Sequence, residues 1–208
     1  MTTARKIANI LLETEAVQLR PNEPFTWSSG WKSPIYCDNR ITLSDVEGRT
    51  FIKKALAKAI KKHFPDVDLI AGVATAGIAQ GALVADYLKI PFAYVRPKPK
   101  EHGMGNQIEG KITKGQKVVV LEDLISTGGS SLKAVEALRV AGIEVIGMIS
   151  VFTYGFKIAD ENFDASGVEL VTLSHYNYLI DEARKQDYVK EADIASLKKW
   201  RRNPATWS

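Results

Sequence analysis

Three segments of this chain run almost uninterruptedly apolar and β-branched: Asp68–Gly72, Gln116–Leu121 and Ile143–Phe152. A strand with one wet face alternates apolar and polar residues, so runs without alternation belong to a sheet buried on both sides. Helical spacing fills the gaps, at Gly77–Leu88 after the first run and Thr127–Ala141 after the second. Strands separated by helices are what a parallel sheet needs for its crossovers. Pro91–Val95 reads as a further strand, Val168–Leu173 as another, and Ile35–Cys37 as a short one. Helices are also expected over residues 3–18, Val46–His63 and Lys190–Arg202, the last with Ile194, Leu197 and Trp200 on one side. The fold class is therefore α/β, a mostly parallel sheet flanked by helices.

A chain of 208 residues, 45% hydrophobic and 25% charged, suits a single compact domain and excludes collagen, coiled coil and disorder. No apolar run approaches the roughly 20 residues of a membrane span, and residues 1–17 lack the apolar centre of a secretory signal. A cytoplasmic protein is the expectation. The single cysteine, Cys37, excludes an internal disulfide and a multi-cysteine zinc site. In its apolar strand it reads as a packing residue, and His63, at a helix end, and His175, near a Tyr-rich segment, read as structural rather than catalytic. The net charge of +4 fits an anionic small molecule as well as nucleic acid.

The most informative segment is VVVLEDLISTGGSS, residues 118–131. A buried strand carries two adjacent carboxylates, Glu122 and Asp123, to its carboxyl end. A turn of Ser126, Thr127, Gly128, Gly129, Ser130 and Ser131 then opens a helix. In a parallel sheet, ligands bind at this end of the strands, and an open helix start suits a phosphate. The carboxylates would repel that phosphate directly, so they require a hydrogen-bond donor, such as the vicinal hydroxyls of a sugar. A Walker A loop is excluded because no Lys precedes the hydroxyl residue after Gly129. Gly103 and Gly105 make no dinucleotide fingerprint either, since Ile108 stands at the third glycine position. Residues 96–115 form a long aperiodic loop carrying Arg96, Lys98, Lys100 and His102, a length usually reserved for function or disorder.

Taken with FTWSSGWKSPIYCDNR (25–40) and RPKPKEHGMGNQIEG (96–110), this motif resembles the type I phosphoribosyltransferases, and among them the orotate phosphoribosyltransferases. The resemblance runs in order over most of the chain. It implies one domain over residues 1–208, with an α/β core of about 45–175 and a small hood from about 1–40 plus the C-terminal segment. It also implies transfer of the phosphoribosyl group of 5-phosphoribosyl 1-pyrophosphate (PRPP) to orotate, giving orotidine 5′-monophosphate and pyrophosphate in pyrimidine biosynthesis.

Carried over by position, Glu122 and Asp123 face the ribose hydroxyls. Leu124 and Ile125 belong to the PRPP-binding set, Ser126 through Ser130 form the turn around the 5′-phosphate, and Ser126 also meets orotate. Arg96, Lys100 and His102 meet the pyrophosphate, with Lys100 and His102 catalytic. Mg²⁺ is the implied cofactor, held mainly by PRPP and water rather than by protein side chains. The implied assembly is a homodimer in which residues 96–110 complete the neighbouring subunit's site, with neither nucleic acid nor membrane as partner. Some members hold the orotate carboxylate with an arginine after the 143–152 strand. Thr153–Lys157 offers none, which leaves Lys32 or Lys98. Two other readings share the motif: transfer to a purine or xanthine, and a PRPP-sensing regulator that binds nucleic acid through the basic Lys198–Arg202 end.

Overall fold

The computed structural model describes residues 1–27, 30–99 and 107–207. In chain order these form α1 (Thr3–Glu13), β1 (Val17–Leu19), β2 (Phe25–Thr26), β3 (Lys32–Ser33), β4 (Ile35–Cys37), α2 (Val46–His63) and β5 (Leu69–Val73). Next come α3 (Ala76–Leu88), β6 (Phe92–Val95), β7 (Ile108–Glu109), β8 (Lys117–Ile125), α4 (Gly129–Val140) and β9 (Glu144–Thr153). The chain ends with α5 (Lys157–Ala165), β10 (Leu170–His175), α6 (Tyr176–Lys185) and α7 (Ile194–Arg202). A 3-10 turn, Asn39–Ser44, joins β4 to α2.

Six strands make the main sheet in the order β10-β9-β8-β5-β6-β7. Five run parallel, and only β7, paired with β6, is antiparallel. The period of two along each strand sorts its side chains between two cores. On β8, Val119 and Leu121 join the layer containing α1, α2, α6 and α7, whereas Val118 and Val120 join the layer under α4 and α5. All four are fully buried, which is why the run shows no alternation in the sequence. Helix α2 spans the expected residues, with Asp45 capping its first turn through Glu47 N and Gly48 N.

Two expectations change. Helix α1 stops at Glu13, because Glu15 takes a left-handed φ of 57° and Val17–Leu19 pairs with β4 as a strand. Strand β8 continues past Leu121 to Ile125, since β9 extends beside it and Glu122, Leu124 and Ile125 pair with Ser150, Phe152 and Thr153.

The chain ends meet above the carboxyl side of the sheet. The β2–β3 hairpin and α7 are joined by Trp200, fully buried, whose Nε1 donates to the Lys32 carbonyl at 3.2 Å. Trp27 and Tyr154 stack near it, with ring centroids 5.7 Å from the Trp200 ring in each case. Helix α1 packs on α6, in the C-terminal segment, and on β10: Arg5 bonds Glu182, and Ser174 Oγ donates to the Ala4 carbonyl at 2.8 Å.

Candidate active site

The sheet's connections diverge between β5 and β8, since α3 carries the chain to β6 on one side and α4 carries it to β9 on the other. Such a switch point opens a crevice at the carboxyl ends of the two strands. A cavity of about 630 Å³ lies there. Its walls are the end of β5 with the start of α3 (73–76), the end of β8 with the start of α4, and residues 95–98 with Gln107 after β6.

Both helix starts open on this cavity without a side-chain cap. At α4 the N-cap is Gly128, with φ of +81°, and a Cβ there would lie 2.6 Å from Phe163. Only glycine meets both conditions. Asn162 of α5 braces the same turn, its Nδ2 donating to the Thr127 carbonyl at 2.9 Å. The N–H groups of the first turn thus keep their electropositive end for a ligand.

Glu122 shares its strand parity with Val118 and Val120, which places it toward α4. There Ser131 Oγ donates to Glu122 Oε2 at 2.9 Å, and the Asp123 N–H donates to Oε1 at 3.0 Å. Burial, and then the charge of Asp123, push the Glu122 carboxyl well above the ordinary carboxylate range. Burial also raises Asp123, against the lowering effect of its hydrogen bonds with Glu122 and the Leu124 N–H. Both carboxyls thus sit above their ordinary range, Glu122 the further of the two, because each is buried beside the other. Both line the cavity. The acidic pair is neither a buried ornament nor a pair of bare charges facing a phosphate.

Of the expected ligand residues, Arg96, Glu122, Asp123, Leu124, Ser126, Thr127, Gly128 and Ser130 line this cavity. Arg96 is held at its rim by Glu109, Nη1 to Oε1 at 3.5 Å, and by main-chain pairing with Gln107. Ile125 points elsewhere: it is fully buried in the core under α4, and its carbonyl accepts from Tyr154 N and Thr153 Oγ1. Gly129 begins α4 but is not part of the wall. Lys100 and His102 lie outside the described residues. The sequence reading missed the 73–76 wall, whose small residues carry no distinctive side chain.

A second cavity, about 700 Å³, adjoins the first and shares Leu124, Ser126 and Thr127 with it. Its other walls are aromatic, Phe25, Trp27, Trp31 and Tyr36 from the hood and Tyr154 from just past the end of β9. Lys32 stands beside it, Nζ donating to the hydroxyl of Thr26 at 2.8 Å, while Lys98 lines the first cavity. A flat ring stacked in this slot would lie next to a sugar in the first cavity. Ser126 was expected at the base and Lys32 or Lys98 at its carboxylate, whereas the aromatic walls were not. The density of Trp, Phe and Tyr between 25 and 36 was the available signal.

A cavity at a parallel-sheet switch point, walled by an acidic pair and an open helix start and joined to an aromatic slot, has the parts a phosphoribosyltransferase needs; the phosphoribosyl transferase domain family matches residues 44–186. The orotate phosphoribosyltransferase of Cytophaga hutchinsonii is 59% identical over 207 residues, spanning 100% of this chain and 99% of that protein. That of Porphyromonas gingivalis is 54% identical, spanning 99% and 98%. The crystal structure of the Aeropyrum pernix enzyme superposes with a TM-score of 0.76 at 32% identity, covering 88% of this chain and 99% of that one. The chain belongs to the orotate phosphoribosyltransferase family.

Proposed function

We propose that this chain transfers the 5-phosphoribosyl group of PRPP to orotate, releasing pyrophosphate and forming orotidine 5′-monophosphate. The observation that carries the reading is the joining of the two cavities through Leu124, Ser126 and Thr127, with the acidic pair in the wall of one and an aromatic clamp around the other. The start of α4 receives the 5′-phosphate, with Thr127 and Ser130 supplying hydroxyl donors. Asp123 accepts from the ribose hydroxyls. The start of α3, Arg96 and Lys98 take the pyrophosphate. Orotate stacks among Trp27, Trp31 and Tyr36, and Lys32 is the cation nearest its carboxylate.

The reaction breaks the bond from the anomeric carbon to pyrophosphate and forms one from that carbon to a ring nitrogen of orotate. Positive charge grows on the ribose and negative charge on the leaving group. Asp123 meets the first, and the cationic loop meets the second, so both bind the transition state more strongly than the ground state. Lys100 is assigned the larger share of the leaving-group charge, with His102 as proton donor.

Mg²⁺ suits the donor set. The walls present hydroxyls, main-chain N–H groups, the carboxyls of Glu122 and Asp123 and the cations Arg96, Lys98 and Lys133, and the described residues include no cluster of three or more His, Cys, Asp or Glu able to hold a metal. A hard cation that prefers phosphate oxygens and water would be held by PRPP itself, neutralising the pyrophosphate as it departs. The working unit in this reading is a cytoplasmic homodimer in which residues 96–110 complete the neighbour's site. Among the described residues no helix is long and apolar enough to cross a membrane. At the C-terminal end Trp200 is buried and Arg201 Nη1 donates to the Gly155 carbonyl at 3.0 Å, while Lys198, Lys199 and Arg202 are exposed.

The test is an absorbance assay for orotate loss with PRPP and Mg²⁺, run beside hypoxanthine, adenine and uracil. Consumption of orotate alone, with equimolar pyrophosphate, is expected. Turnover of a purine in preference to orotate would overturn the assignment.

A further inference from the structure

Between the two cavities lies a buried contact that belongs to neither wall. The 3-10 turn Asn39–Ser44 begins where β4 leaves the hood, and its first residue, Asn39, is 3% exposed. The Asn39 amide Nδ2 donates to the main-chain carbonyl of Asp123 at 2.7 Å, across 84 positions of sequence. Its other side-chain atom, Oδ1, accepts from the Cys37 thiol at 3.3 Å. Cys37 lines the aromatic slot, and Asp123 lines the ribose cavity. The amide is thus fixed in orientation by a donor on one side and an acceptor on the other.

Its mounting is rigid. Thr42 Oγ1 donates to the Asn39 carbonyl at 2.7 Å, Asp38 caps the turn through the Arg40 N–H, and Arg49 holds the Leu43 carbonyl at 2.8 Å. Burial and the nearby Asp123 and Asp38 keep the Cys37 thiol protonated, so it remains a donor. A side chain that only filled space here would need no amide, and burying one without both partners is costly.

We propose that Asn39 is a positioning residue for the transfer step: it clamps the main chain at Asp123 and so holds the acidic pair in register with the base slot. The proposal rests on the phosphoribosyl-transfer reading above. Asn39 touches no substrate in it. Its effect passes through Asp123, so its loss should appear in kcat and in kcat/KM for PRPP rather than in the fold.

Two variants test this, with pyrophosphate release as the readout from pH 5.5 to 8.5 and thermal unfolding measured alongside. Asn39→Ala removes the donor, and a fall of about tenfold or more in kcat/KM for PRPP is expected, the worth of one buried hydrogen bond. Asn39→Asp keeps the size but, ionised, cannot donate and adds a charge beside Asp38, Asp123 and Glu122, with Arg40 the nearby cation. Protonated, its hydroxyl donates to the same carbonyl. Its activity relative to wild type should therefore rise severalfold as pH falls, while the Asn39→Ala ratio stays flat. A space-filling role would give no such recovery.

The proposal is overturned if Asn39→Ala keeps more than half the wild-type kcat/KM, or if the Asn39→Asp ratio does not change with pH. If Asn39→Ala does not fold, the Asn39→Asp ratio alone decides. Failure of the wild-type protein to turn over orotate would instead overturn the functional reading itself, and with it the proposal that depends on it.

Discussion

At Gly128 two independent constraints coincide, a left-handed backbone and a ring pressed against the Cα. Replacing it with alanine costs about 1–2 kcal/mol for the left-handed conformation and about 1–3 kcal/mol for overpacking against Phe163. Gly128→Ala should therefore lower the denaturant midpoint without changing the slope, and raise KM for PRPP by displacing the start of α4. A wild-type midpoint would show that the turn has a second conformation open to it. The segment 118–131 already announced this turn by its composition. It could not announce that Phe163, 35 positions further on, would pack beneath it. Nor could it reveal that Ser131, expected with Thr127 and Ser130 as a hydroxyl donor to the phosphate, gives its hydroxyl to Glu122 and ties that residue to α4.

Elements α5 and α6 had no expectation attached to them, and the reason is visible in Glu182. Helix α6 buries Tyr176, Leu179, Ile180 and Ala183, yet Glu182 sits within that buried set at 4% exposure. A charged residue inside an apolar stripe obscures the helical period. Its partners are Lys185 on the same helix, at 2.8 Å, and Arg5, at the other end of the chain. The Lys185 hydrogen bond, followed by that from Arg5, holds the Glu182 carboxyl below its ordinary range. A lowered carboxyl contributes stability that is present above the unfolded pKa, about 4.3 for glutamate, and that is lost as pH falls through the folded value. Glu182→Gln should cost about 1–3 kcal/mol near neutrality, and the gap from wild type should close below about pH 4. Denaturation midpoints at pH 7 and pH 3.5 measure it. A gap that widens on acidification would contradict the assigned partners.

On the scale of the whole molecule, the assembly reading makes a distinctive claim about mixtures. Lys100→Ala should reduce kcat by one to two decades or more, the loss of one charge-assisted contact to the leaving group. Asp123→Asn should be similarly impaired through the ribose. Mixed and reassorted, the two inactive variants should regain up to about a quarter of wild-type activity, because half the dimers are mixed and each mixed dimer holds one intact site. No recovery on mixing would place loop and core of one site in one subunit.

Unaided, the amino-acid order determined the parallel sheet and the glycine- and hydroxyl-rich turn after the acidic pair, and it raised the expectation of a phosphate and a sugar there. These follow from short-range rules: side-chain period, turn preference and charge beside charge. Tertiary structure alone decided that α1 packs on α6 and β10, that Ile125 turns inward, that Val73–Ala76 forms a wall, and that the hood's aromatics meet Leu124 and Ser126 in one slot. Each of those depends on residues tens of positions apart, brought together by burial of two core layers and by main-chain bonds such as Asn39 to Asp123. Contacts of that range leave no mark in local sequence, because either partner alone looks like an ordinary surface or core residue.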